Sequence, residues 1–85
     1  MKFKAIVFIR LRASVSDAAG NAVKANVGRV ADLNCTSLRL GKVVDMEFEC
    51  DNEELAHEEM YKLSDQLLAN TVIEDWSYEL VSINT

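Results

Sequence analysis

Residues 2–12 alternate almost without fault between two faces, and that pattern limits the fold more than any other feature of the 85-residue chain. Phe3, Ala5, Val7, Ile9 and Leu11 lie on one side, with Lys2, Lys4, Ile6, Phe8, Arg10 and Arg12 on the other. A period of two held over eleven residues specifies a long strand, and a strand needs partners for its backbone. One face is a core face. The other is apolar at its centre and cationic at both ends. A chain of this length supplies one domain, residues 1–85, and buries only about 60–65% of the surface it exposes when unfolded.

The rest of the chain reads as alternating helices and strands. Ser14-Val15-Ser16-Asp17 is a loop with Asp17 as the N-cap of a first helix, whose apolar side is Ala19, Val23, Val27 and Val30. Gly20 and Gly28 each weaken that helix by up to ~1 kcal/mol relative to alanine. Thr36–Leu40 and Val44–Cys50 are expected to form a hairpin about a Gly41-Lys42-Val43 loop, with Leu40 facing Val44 and Leu38 facing Met46. Asp51 is the expected N-cap of a second helix, with Glu54 three residues on and the stripe Ala56, Met60, Leu63 and Leu67. Asn70 is expected to end that helix in a left-handed conformation. The final strand spans Val72–Ile83, with Trp76, Tyr78 and Leu80 on its inner face. The order β-α-β-β-α-β predicts an α+β, ferredoxin-like sandwich with two helices on one face of an antiparallel sheet.

Composition removes several function classes. Hydrophobic residues make up 49% and charged residues 27%, the balance of a globular chain rather than a disordered one. The longest apolar run, Ala5–Ile9, is far short of the ~20 residues that span a bilayer. The N-terminus lacks the pattern of a signal peptide, and two cysteines are too few for a disulfide scaffold, so the cytoplasm is the expected compartment. A net charge of −5 gives no general reason to bind nucleic acid or an anionic membrane. Its distribution is uneven. Residues 1–42 hold eight basic and two acidic side chains, and residues 43–85 hold one basic and twelve acidic.

No catalytic constellation can be assembled. His57 sits among Glu53, Glu54, Glu58 and Glu59, the composition of a solvated helix face. Cys35 and Cys50 point to opposite sides of the expected hairpin. Neither Gly20 nor Gly41-Lys42 has the spacing of a phosphate loop. The feature that stands out is the second face of the first strand. Ile6 and Phe8 are flanked by cations, Arg10 among them, and the expected topology sets Asp45, Glu47 and Glu49 beside them. An apolar centre with a rim of both signs suits a face covered by a second copy, with Ile6, Phe8, Arg10 and Glu47 in the homo-oligomer interface.

Three motifs carry a family resemblance. They are Ser14-Val15-x-Asp17-x-x-Gly20-x-Ala22-Val23, Arg39-Leu40-Gly41-Lys42, and Leu67-Leu68-Ala69-Asn70-Thr71-Val72-Ile73-Glu74-Asp75-Trp76. In this order and spacing the chain resembles the PurS family, the small subunits of multi-subunit phosphoribosylformylglycinamidine (FGAM) synthase. Ala18 stands where the family often has proline, and Asp45 where it tends to have glutamate. The resemblance implies a non-catalytic assembly subunit of a glutamine-hydrolysing, ATP-dependent C–N ligase of purine biosynthesis. It also implies a dimer that bridges a glutaminase subunit and a large synthase subunit and helps to enclose the ammonia path. ATP and magnesium would be used by the large subunit, with no cofactor on this chain. Arg39, Lys42, Asn70, Thr71 and Glu74, drawn from the motifs, are the candidates for docking on those partners. The alternative is a small-molecule-binding regulatory module of the ACT type, which shares the element order but would need a ligand-cradling loop after the first strand.

Overall fold

The computed structural model describes residues 1–83; the last two residues of the expected domain, 84 and 85, lie outside the described part. Its elements are β1 (Lys2–Leu11), α1 (Ala18–Val30), β2 (Gly41–Glu49), α2 (Glu53–Leu63), a π-helical turn over Ser64–Leu68, and β3 (Glu74–Ile83). The three strands form one antiparallel sheet in the order β2-β1-β3, so the strand with the strictest alternation is the central one. The arrangement is ferredoxin-like.

The period-two pattern sets the two faces. Val7 lies between Val44 and Tyr78, Ala5 between Met46 and Leu80, and Ile9 pairs with Trp76. Phe3, Ala5, Val7 and Ile9 are 0–1% exposed, and with Ala56 and Met60 of α2 they form the core. α2 covers the β1–β3 half of this face. Tyr61 meets the Trp76 ring edge-on at 5.0 Å between centroids, and the Trp76 indole N–H donates to Asp65 at 3.3 Å.

Four local expectations change. Asn52, not Asp51, caps α2, its side-chain oxygen accepting from the Leu55 N–H at 2.8 Å. The carboxylate of the first turn therefore follows the cap rather than being it. Leu67 is 73% exposed, because the Ala69 N–H reaches back five residues to the Ser64 carbonyl. That π-helical turn adds a residue and rotates the stripe, so Ser64 and Leu68 turn inward in place of Leu67. Asn70 is not left-handed; no non-glycine residue has positive φ among those described. Its side-chain oxygen instead accepts from the Val72 N–H, and its carbonyl from Ile73 and Glu74, which turns the chain into β3 two residues later than expected.

The fourth change is the largest. Thr36–Leu40 has no strand partner among the described residues, and Gly41-Lys42-Val43, expected as a loop, is the start of β2, paired with Arg10, Ile9 and Phe8. Gly41 is needed for close approach rather than for a turn: a Cβ there would lie 2.7 Å from the Ile9 carbonyl oxygen. With no hairpin to bring its helix back, α1 does not pack into the core of the sheet. Only Gly20 of α1 is buried, and no α1 residue belongs to the core. The chain measures 50 × 30 × 14 Å with a radius of gyration of 16.7 Å, against about 12 Å for a compact chain of this length.

Candidate functional site

The three sequence motifs, spread over residues 14–76, meet at one corner of the sheet where β1 ends. Asp17 caps α1 by accepting from the Gly20 N–H at 2.9 Å, and its other oxygen accepts from the Leu40 N–H at 2.8 Å. A Cβ on Gly20 would fall 2.3 Å from that carboxylate, so glycine here makes room for the cap. The residue that weakens the helix intrinsically thus lets its N-cap close. The two N–H donors, aided by the nearby Arg39 charge, hold the Asp17 carboxyl below its ordinary range.

Arg39 donates to the carbonyls of Arg12 and Val15 at 3.0 and 2.7 Å, which pins the segment Thr36–Leu40 to the exit of β1. Arg12 in turn donates to the Thr71 carbonyl and pairs with Asp75 at 3.3 Å. Glu74 is only 8% exposed. It accepts from the Asn70 N–H at 2.8 Å and pairs with Lys42 at 3.2 Å, and these two contacts lower its pKa. Ile9, Leu11, Leu40, Gly41, Lys42 and Glu74 line a cleft of about 230 Å³ in the middle of this corner.

All five docking candidates are therefore brought together, but not as a row of free side chains. Glu74 does not stand on an exposed corner, since its carboxylate is turned inward onto a lysine and a backbone amide. Thr71 contributes its carbonyl, and Asn70 shapes the turn. Lys42 and Arg39 remain exposed along their stems while their cationic ends are engaged. Arg12, which spacing alone did not single out, is the link between the first and third motifs. Its strand position reads as one more charge on the outer face.

On the opposite face of the sheet the predicted patch is laid out across all three strands. Lys2 and Lys4 face Glu49 and Glu47 on β2, Ile6 lies between Asp45 and Glu79, Phe8 between Val43 and Ser77, and Arg10 beside Asp75. Ile6 and Phe8 are half-buried, while Val43 and Val81 beside them are 58% and 60% exposed. Opposite charges in directly facing positions stabilise the strand pair modestly, by roughly 0.2–1 kcal/mol each. They leave the apolar centre open.

Elsewhere the titratable side chains make local contacts. His57 shares a 2.8 Å hydrogen bond with the Tyr78 hydroxyl, and its other nitrogen lies 3.8 Å from Glu53. Cys35 and Cys50 are both free thiols; Cys35 donates to the Ser37 carbonyl.

Comparison with known proteins accounts for the convergence of the motifs. The family profile described as PurS, phosphoribosylformylglycinamidine (FGAM) synthase, matches residues 4–82. The PurS subunit of phosphoribosylformylglycinamidine synthase from Mycobacterium leprae is 37% identical, covering 87% of this chain and 90% of that protein. The corresponding subunit from Synechocystis is 34% identical, covering 91% and 77%. Among solved structures, a chain of PurLQS from Thermotoga maritima superposes with a TM-score of 0.86 at 30% identity, covering 95% of this chain and 99% of that one. The matched span takes in β2, both helices, all but the outer ends of β1 and β3, and every residue of the corner, and the chain belongs to the PurS family of phosphoribosylformylglycinamidine synthase subunits.

Proposed function

We propose that this chain, acting as one domain of residues 1–85 in the cytoplasm, is a non-catalytic assembly subunit of FGAM synthase. It bridges the glutaminase and the large ATP-dependent synthase subunit and helps to carry ammonia between them. The whole complex converts formylglycinamide ribonucleotide, glutamine and ATP into FGAM, glutamate, ADP and phosphate. ATP and magnesium act on the large subunit. The observation that carries this reading is the match of the PurS family over residues 4–82, supported by the likeness to a chain solved within PurLQS. The internal use of the motif side chains agrees with it: Asp17, Arg39, Lys42 and Glu74 are spent on holding a shape. Among the described residues no helix is long and apolar enough to cross a membrane.

In this reading the outer sheet face, centred on Ile6 and Phe8 with Arg10 and Glu47 at its rim, joins copies of the chain. The exposed parts of the motif corner, around Arg39, Lys42, Asn70 and Thr71, meet the other subunits. The test is reconstitution of the complex with and without this chain. Glutamine-dependent FGAM formation should require it, while FGAM formation from added ammonium salt should persist without it. Full glutamine-dependent turnover in its absence overturns the proposal.

A further inference from the structure

Among the described residues β3 is bonded to β1 on one side and to no strand on the other. The Arg12 N–H donates to the Ile73 carbonyl, so the odd-numbered residues of β3 exchange the ladder bonds with the even-numbered residues of β1. The backbone N–H and C=O groups of Trp76, Tyr78, Leu80 and Ser82 therefore point outward, away from the sheet. Edges are commonly blunted by lysine, proline or a bulge, and Glu74–Ile83 has none of the three.

One row of side chains from α2 and the turn after it overhangs this edge: Glu53, His57, Tyr61 and Asp65, four residues apart. His57 bonds the Tyr78 hydroxyl, Tyr61 meets the Trp76 ring edge-on, and Asp65 accepts from the Trp76 indole. The Trp76 and Tyr78 rings stack at 6.2 Å between centroids, close to the ~6.8 Å between alternate side chains of an antiparallel strand. Tyr61 is still 61% exposed, and Glu53 reaches only the His57 ring, at 3.8 Å. The result is a strip with an aromatic floor, a carboxylate at each end and unpaired backbone along one side.

We infer that this strip takes an extended basic segment of another subunit, added to the sheet as a strand beside β3. The inference rests on the assembly reading above and deepens it, naming the chemistry of the partner and a docking surface apart from the motif corner. Two cations placed two residues apart on that segment fall on the inner face beside Trp76 and Tyr78. One meets Tyr61 and Asp65, the other His57 and Glu53. Arginine or lysine gains there from the ring faces as well as from the carboxylates, while the backbone supplies the strand bonds. A second copy is disfavoured, since β3 laid against β3 brings one acidic row onto another.

The test uses the complex reconstituted from this chain, the glutaminase and the large synthase subunit. Photoreactive benzoylphenylalanine replaces Tyr61 in one preparation and Val72, 80% exposed at the motif corner, in another. Mass spectrometry should place the cross-links from position 61 in a segment of another subunit with arginine or lysine at alternate positions. Tyr61→Ala should weaken binding to those subunits roughly tenfold. Glu53→Lys should weaken it as well and reduce its salt dependence. Glu59→Lys, the same charge change on the other side of α2, should not, and all three variants should keep the circular dichroism of the unmodified chain. If position 61 reaches no other subunit, only another copy, or an acidic segment, the strip is overturned. Links from position 72 to either partner then leave the assembly reading standing, whereas failure of any complex to form overturns both.

Discussion

α1 and α2 are helices of similar length, 13 and 11 residues, each with a capping side chain and an apolar stripe, yet only one of them is part of a core. α2 follows its strand closely: Met60 packs with Ala5, Val7 and Ile9 of β1, Ala56 is fully buried, and Tyr61 packs on Trp76. α1 is tied down by polar contacts instead, Asp17 capping its start and Lys24 donating to the Thr36 carbonyl at 3.1 Å. What separates them is not amphipathicity. It is whether the segment after the helix folds back beside the strand before it. Helical stability in proteins comes mostly from such packing, so the two helices should respond very differently to substitution.

The largest contrast is expected from the packed side. Met60→Ala removes a side chain that is 1% exposed and should lower unfolding free energy by about 2–5 kcal/mol in a urea titration. A loss of less than ~1 kcal/mol would mean that α2 is no better seated than α1.

Acid should act next, at the corner where the three motifs meet. The carboxyls of Asp17 and Glu74 are both held below their ordinary values of 3.8 and 4.5 by hydrogen bonds made only in the folded chain. Groups with a depressed folded-state pKa contribute stability that is complete above the unfolded values and is lost as pH falls through the folded ones. The melting temperature should therefore be level near neutrality and fall below about pH 4.5. Asp17→Asn and Glu74→Gln, melted across pH 2–7, should each flatten that fall. An unchanged acid limb in both variants would detach the corner from stability.

A smaller effect sharpens the comparison of caps. Asn52→Ala should cost about 1 kcal/mol, the usual loss for such a cap, measured by thermal unfolding. Smallest of all is Val30→Ser. At protein concentrations low enough to keep the chain monomeric it should stay within about 0.5 kcal/mol, as for any bare surface position. A larger loss under those conditions would show α1 packed on its own sheet.

The parts legible in the sequence are those set by neighbours along the chain. The alternation of residues 2–12 is strong enough to identify the central strand, and Asp17 three residues before Gly20 is a cap readable from spacing alone. Thr36–Leu40 shows the limit of the same signal. Alternation says that a segment is extended and which face is apolar, but not which edge it joins, and a glycine at position 41 suggests a turn as readily as a close strand approach. Leu67 escapes the helical stripe because one residue added by a π-helical turn shifts that stripe by about 100°, and nothing in the composition of Ser64–Leu68 announces it. The corner is legible as three motifs but not as one place. Arg12 joins two of them through a backbone carbonyl, and carbonyls leave no mark in a sequence.

The central position of β1 also governs the order in which the molecule assembles. Lys2 faces Ile83 and Leu11 faces Glu74, so β1 waits for β3, some sixty or more residues on, before its second edge is closed. Pairings this distant along the chain are slow to form, because the intervening loop entropy is lost before any contact compensates for it. Until then the nascent chain carries an unpaired run of valine, isoleucine and phenylalanine, with Lys2, Lys4, Arg10 and Arg12 at its ends to oppose early sticking. Closure of the sheet thus waits for β3. Any truncation that removes β3 leaves a strand with one open edge, prone to aggregate rather than to fold in part.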